Sequence, residues 1–280
     1  LDVSREETFV SNRVRHAIRT HIISYVRPDG TFAARKMECF SNQGAYASHG
    51  HGIAAKGMGA FPQLYPCDNV QCDAYTVFTN KPVAGAMRGY GIPQAMFAGE
   101  SHIEDVARAL HMDSLAFRRK NMMPVGYVDG FSKNENYSDS LNQCIEKGME
   151  YIGYERKQAE YAKESGPVRH GVGMAIFWYN TAVWPISLES SSCRMVLNQD
   201  GSVQLQMGET EIGQGADTAF AQMAAETLGI PFKDVHVIST QDTDITPFGL
   251  GAYASRQTYI GGFSIKQTAL MMKERILKYA

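Results

Sequence analysis

Residues Ala84 to Gln94 read AGAMRGYGIPQ, and this stretch constrains the fold most because it fixes where a tight turn ends and a helix begins. Gly89 and Gly91 admit positive φ, and Pro93 has its φ already set for a first helical turn. Phe97, Ile103, Val106, Ala107 and Leu110 follow at helical spacing. The turn therefore sits at the positive end of a helix dipole, where anionic groups are stabilised. Arg88 adds a rigid, permanently charged fork of donors. Tyr90, between the two glycines, leaves a ring free to stack on a flat ligand. A tight surface turn with a solvated arginine is the alternative reading of so short a glycine motif.

A second loop of this kind lies further along. Ser202 to Met207 alternates polar and apolar, with Val203, Leu205 and Met207 on one side, which predicts a half-buried strand. It runs into GETEIGQGADT, where Gly213 and Gly215 flank Gln214, so a side-chain amide is presented from backbone that approaches a ligand closely. Phe220, Met223, Ala224, Thr227 and Leu228 then form a helical stripe that Gly229 and Pro231 stop. Strand, glycine loop and helix together cradle an anionic cofactor; a purely structural loop is the alternative. Val235 to Ile238 reads as another strand, followed by TQDTDITPFGLGAYASRQT from Thr240 to Thr258. Asp242 and Asp244 lack the rest of an oxygen-ligand loop, so they read as turn formers rather than calcium ligands.

Composition closes off several classes. A net charge of −2 offers no basic face for nucleic acid, and no apolar run approaches the roughly 20 residues that span a bilayer. Cys39, Cys67, Cys72, Cys144 and Cys193 are an odd, scattered set, which suits a reducing, cytoplasmic compartment. No repeated pair completes a zinc or iron–sulfur site, so all five are expected to be packing residues. Neither glycine loop completes G-x-G-x-x-G after a strand with an acid about 20 residues on, which removes a dinucleotide-binding dehydrogenase.

Organisation follows from patterning. Leu1 to Pro82 reads as strand-rich, Gln94 to Met122 as helical with a break near Met112-Asp113, and Gly130 to Ser140 as a polar connection. A mixed-charge helix from Leu141 to Lys163 leads to the linker Glu164-Ser165-Gly166-Pro167, after which strands and helices alternate from Gly171. The expected fold is α+β, two lobes of mixed sheets and helices covering residues 1–165 and 166–280. In YASHGHGIAAKG, His49 and His51 read as ordinary polar residues because a third metal ligand is missing; Lys56 follows them. Phe177, Trp178 and Tyr179 read as a core strand or as an aromatic wall.

The RGYGIPQ segment, with Thr79-Asn80-Lys81-Pro82 before it, resembles the RGFGGPQ segment of the molybdenum hydroxylases, the xanthine dehydrogenase family. GETEIGQG resembles that family's GGTEMGQG motif, with Glu209 standing where the family often has a second glycine. Thr240 to Thr258 resembles its T-D-x-x-P … A-S segment. The resemblance covers nearly the whole chain and implies that both lobes are partial molybdopterin-binding lobes, with the cofactor between them.

Residue by residue, the resemblance places Arg88 and Ala254 close to the molybdenum without being side-chain ligands. It assigns Gly213, Gln214, Gly215 and Ser255 to cofactor binding and Tyr90 to stacking on substrate. Lys56 falls where purine-oxidising relatives place a substrate-binding arginine, keeping the charge but losing the bidentate fork, and Tyr179 offers a second aromatic contact. The implied activity is oxidative hydroxylation of an aromatic N-heterocycle such as xanthine or hypoxanthine. Nicotinate oxidation, aromatic thioester reduction and a non-catalytic assembly role are the alternatives. Water supplies the oxygen, and electrons leave through 2Fe-2S clusters and FAD on an iron–sulfur subunit and an FAD subunit. The family's catalytic glutamate, in a G-x-G-E segment, is expected beyond residue 280, in the remaining part of the molybdenum subunit.

Overall fold

The structure is a computed structural model that describes residues 3–130, 133–183, 189–238 and 242–280. Leu1, and Thr240 at the head of the third resemblance segment, lie outside the described residues. The chain divides into two compact units, Leu1–Tyr179 and Asn180–Ala280.

In the first unit a short helix α1 (Arg5–Ser11) starts on a capping box in which Ser4 and Glu7 satisfy each other's backbone N–H groups. Strands β1 (Ala17–Val26) and β2 (Phe32–Gly44) form an antiparallel hairpin running from the pair Ala17 and Asn42 to the pair Val26 and Phe32. Helix α2 (Gly50–Leu64) crosses over to β3 (Val70–Phe78), which lies parallel to β2. Helices α3 (Ile92–Ala109), α4 (Ser114–Asn121), α5 (Ser140–Ile152) and α6 (Tyr154–Tyr161) complete the unit.

The second unit repeats the pattern. Strands β4 (Cys193–Leu197) and β5 (Val203–Met207) are antiparallel, helix α7 (Ala216–Leu228) crosses over, and β6 (Val235–Ile238) returns parallel to β5. A π-turn at Gln257–Gly261 then feeds α8 (Gly262–Tyr279). Each unit is thus a hairpin, a crossover helix and a parallel third strand, with a further helix after a loop. In both cases the crossover helix follows the second strand through a short loop, so that loop is held by a strand end and a helix start.

Each core is built from the apolar faces these elements must bury. Leu64, Ile92, Ile103 and Phe117 anchor the first, and Leu205, Phe220 and Ile265 the second. The alternation read at Val203, Leu205 and Met207 is buried as expected, and Gln206 is buried beside them.

Several expectations change. Residues 1–82 are not only strands: α2 forms across four glycines and Pro62, because packing of Ile53, Phe61 and Leu64 overrides poor helix propensity. The mixed-charge helix is two helices, since Gly153 takes a left-handed conformation between α5 and α6. Phe97 lies off the buried stripe of α3, 76% exposed. Phe177 to Tyr179 forms no strand; Phe177 is exposed while Trp178 and Tyr179 pack on the first core. Cys144 is exposed on α5 rather than packed. The first unit extends past the linker at residue 166, because Met174, Ile176, Trp178 and Tyr179 all join its core.

Candidate cofactor and substrate site

The turn before α3 uses three consecutive left-handed residues, Gly89, Tyr90 and Gly91. Tyr90, with a bulky side chain at φ 48, is a sparsely populated conformation of the kind held at functional sites by a rigid frame. Gly91 supplies that frame: it is the N-cap of α3 and packs on the Ile53 carbonyl of α2, where a Cβ would collide. The Arg88 carbonyl accepts from Arg15 Nη2 at 2.7 Å. The Arg88 side chain is exposed, and among the described residues its guanidinium makes no ion pair.

Tyr90 is not a free ring. Its hydroxyl lies 2.9 Å from His49 Nδ1, and the two rings meet edge to face with centroids 5.8 Å apart. Gly52 lies beneath the hydroxyl, which comes within 2.8 Å of where its Cβ would stand. One ring face and the approach from α2 are therefore fixed. Burial raises the Tyr90 phenol above its ordinary value.

Lys56 follows on the same face of α2, with Nζ 5.4 Å from the centroid of the Tyr179 ring. Burial lowers the Lys56 ammonium and raises the Tyr179 phenol. The segment carrying Tyr179 is pinned by Glu100, a buried acid of α3 that accepts from the Ile176 backbone N–H at 3.0 Å. Glu100 also accepts from the Tyr65 hydroxyl at 2.5 Å and from Arg118 Nε at 2.9 Å. Sequence reasoning missed Glu100, although its position between Met96 and Ile103 on the buried stripe of α3 was the available signal.

In the second unit the carboxylate of Glu211 accepts from the backbone N–H groups of Gly213, Gly215 and Asp217 at 2.6, 3.1 and 3.1 Å. An anionic oxygen thus already stands where the loop and the α7 N-terminus converge, and these hydrogen bonds hold the Glu211 carboxyl below its ordinary value. Nothing lies within 4 Å of the Cβ positions at Gly213 and Gly215, so that face of the loop is open. The open face at Gly213 and Gly215 leaves room for a cofactor such as molybdopterin to approach this loop. The Gln214 amide is oriented internally: Nε2 donates to Thr210 O at 3.0 Å and to Gln257 Oε1 at 2.6 Å, while Oε1 accepts from the Ile212 N–H.

Ala254 and Ser255 are two further non-glycine residues at positive φ, 51 and 54. The residue after them, Arg256, is fully buried and paired with Glu189 and with Glu209, the residue at which the loop motif departs from its glycine. Arg256 went unread in the sequence, and that departure was the signal for it. Asp242 forms the turn expected of it, its Oδ1 accepting from the Asp244 N–H at 2.9 Å. Among the described residues no group of three or more His, Cys, Asp or Glu side chains is arranged to hold a metal ion, and no helix is long and apolar enough to cross a membrane.

Comparison with known proteins bears on the family. Two family models, each described as a molybdopterin cofactor-binding domain, match residues 1–122 and 147–280. The chain is 45% identical, over all 280 residues, to the putative xanthine dehydrogenase molybdenum-binding subunit XdhA of Escherichia coli (strain K12), covering 37% of that protein. It is 32% identical to the probable hypoxanthine oxidase XdhD of the same organism, with 98% of this chain and 29% of that protein covered. Among solved structures, the aldehyde oxidoreductase of Desulfovibrio gigas superposes with a TM-score of 0.82 at 26% identity, covering 95% of this chain and 29% of that one. The chain therefore spans little more than a third of the relatives it matches most extensively. With both units matched by cofactor-binding models and identity running end to end, the chain belongs to the molybdenum hydroxylases of the xanthine dehydrogenase family.

Proposed function

We propose that this chain is the molybdopterin-holding part of a cytoplasmic enzyme that oxidatively hydroxylates a purine such as hypoxanthine or xanthine. The observation that carries the reading is the 45% identity over the whole chain to a xanthine dehydrogenase molybdenum-binding subunit. On this reading Arg88 would hold the cofactor, and the open backbone at Gly213 and Gly215 would let it approach. Gln214 would meet it through the remaining lone pair of Oε1, because its Nε2 hydrogens are spent on Thr210 O and Gln257 Oε1. The small residues Ala254 and Ser255 would close over the metal. When bound, the cofactor supplies the two-electron redox chemistry, and electrons pass to 2Fe-2S and FAD groups on partner subunits.

The chain's own residues orient the substrate. Tyr90 presents a ring face to the heterocycle while His49 holds its hydroxyl. Lys56 sets a positive charge where negative charge develops on the ring, and Tyr179 flanks it. No general base is assigned here: Glu209 is buried against Arg256, and Glu211 is occupied by backbone N–H groups. The base is proposed to lie in the remainder of the longer subunit. The test is steady-state turnover of hypoxanthine, xanthine and nicotinate by the assembled enzyme with an artificial electron acceptor. Purine turnover far above that of nicotinate is expected; the reverse order would move the assignment to nicotinate oxidation, and a purified assembly without molybdenum would leave a scaffold.

A further inference from the structure

We propose that Arg256, clamped by Glu209 and Glu189, is the positioning residue that fixes the Ala254–Ser255 turn in its cofactor-facing conformation; this rests on the cofactor role proposed above for those two residues. Two successive side-chain-bearing residues in the left-handed region persist only where the surroundings over-determine them. The residue that follows them, Arg256, is anchored by its guanidinium. Its Nε donates to Glu189 Oε2 at 2.5 Å, and its Nη1 donates to both oxygens of Glu209 at 2.7 and 2.9 Å. Nη1 also reaches the Gly251 carbonyl and Nη2 donates to the Ser190 carbonyl.

Both acids are themselves fixed. Glu209 follows Gly208 at the end of β5, where the backbone packs so closely on residues 247–249 that a Cβ on Gly208 would run into Pro247 O and Gly249 N. Glu189 spends its other oxygen on the Val183 backbone N–H at 2.7 Å, and the neighbouring Ala182 N–H donates to the Ala254 carbonyl at 2.7 Å. One side chain thus ties the start of the 251–256 loop, the end of β5 and residues 189 and 190 to the turn it follows.

The clamp reaches the loop residue Gln214 as well. Gln257, the next residue, accepts from Gln214 Nε2 at 2.6 Å and donates to Thr210 O at 2.9 Å. Residues 254 to 257 therefore carry Ala254, Ser255 and the partner of Gln214 on a stretch centred on Arg256. A buried ionic cluster is a poor device for stability, since well-packed apolar residues serve that end as well or better. Its value lies in fixing geometry. Glu209 supplies an acid where the related motif has a glycine, which makes this chain's clamp bidentate on one guanidinium nitrogen.

The experiment uses the full-length molybdenum subunit in its native assembly, with Glu209→Gln, Arg256→Lys and Ala254→Val compared by molybdenum content, the line shape of the Mo(V) electron paramagnetic resonance signal and Tm. Glu209→Gln leaves Arg256 paired with Glu189, and Arg256→Lys keeps the charge without the fork. Neither leaves an isolated buried charge. Both are expected to assemble and to lose about tenfold in molybdenum affinity, as when a group that orients a metal site is removed. The metal retained should give an altered signal. Wild-type content and signal in both, with Ala254→Val altering them, would overturn the clamp and keep the cofactor assignment. Wild-type behaviour in Ala254→Val as well would overturn the assignment itself. A fall in Tm that tracks metal loss in both clamp variants, with an unaltered signal in the metal retained, would assign the cluster to stability and overturn the proposal.

Discussion

His49 Nδ1 stands 2.9 Å from the Tyr90 hydroxyl, with the imidazole edge-on to the phenol ring at 80°. This contact joins the first turn of α2 to the strained turn before α3, and it gives the hydroxyl a role that the spacing of RGYG did not show.

Tyr90→Ala is expected to impair turnover of aromatic heterocycles with molybdenum content near normal, because stacking worth about 0.5–1.5 kcal/mol beyond area burial is lost. Tyr90→Phe keeps the ring face and loses only a partly exposed hydrogen bond, worth about 0.5–1.5 kcal/mol. It should match His49→Ala in raising KM by a few fold. Steady-state kinetics of the three variants decide the matter: a Tyr90→Phe as damaging as Tyr90→Ala would mean that the hydroxyl, not the face, is the working part.

Lys56 gives a pH-dependent prediction. Burial lowers its ammonium below the ordinary 10.5, so the charge offered to substrate is present below that lowered value and is lost as pH rises through it. The contribution to folding has the opposite sign: the buried charge opposes folding below the lowered value, and stability recovers as pH rises from there to the ordinary value. KM for a purine should therefore climb on the alkaline side. Lys56→Met should raise KM at neutral pH and abolish that climb, while Lys56→Arg should move it to higher pH. A Lys56→Met profile with the same alkaline limb as wild type would remove Lys56 from the site.

The parts legible in sequence were those set by local chemistry. Gly91 and Pro93 marked the start of α3, Val203, Leu205 and Met207 marked the buried face of β5, and Gly229 marked the end of α7. The parts that stayed hidden depend on residues far apart in the chain. Glu100 meets Ile176, and Arg256 meets Glu189 and Glu209, only once the core has closed. Helix α2 stayed hidden for a related reason: its glycines and Pro62 speak against a helix, and tertiary burial of Ile53 and Phe61 decides the outcome.

Glu100 should therefore be costly to remove. Glu100→Ala leaves Arg118 with Glu104 as its ion-pair partner among the described residues and frees the Tyr65 hydroxyl and the Ile176 N–H. The loss should approach the lower end of about 3–5 kcal/mol seen when one partner of a buried pair is removed. Glu100→Gln keeps hydrogen-bonding atoms in place and should cost less. Denaturant unfolding of the two variants checks the order, and equal losses would mean that packing, not pairing, is what Glu100 contributes.

Arg88 provides the clearest separation of cofactor binding from folding. Its side chain is exposed and, among the described residues, makes no ion pair, so Arg88→Ala should change folding stability by no more than about 0.5 kcal/mol. The turn keeps its shape because the Arg15 side chain holds the backbone carbonyl of residue 88, which the substitution retains. Toward an anionic cofactor the same substitution removes a charge-assisted donor, a loss of about 2–5 kcal/mol where the pair is buried by the ligand. Molybdenum content and activity should fall together while Tm of the cofactor-free protein stays put. A variant with full metal content would return Arg88 to the solvated surface, and a large drop in Tm without metal loss would make the arginine part of the fold.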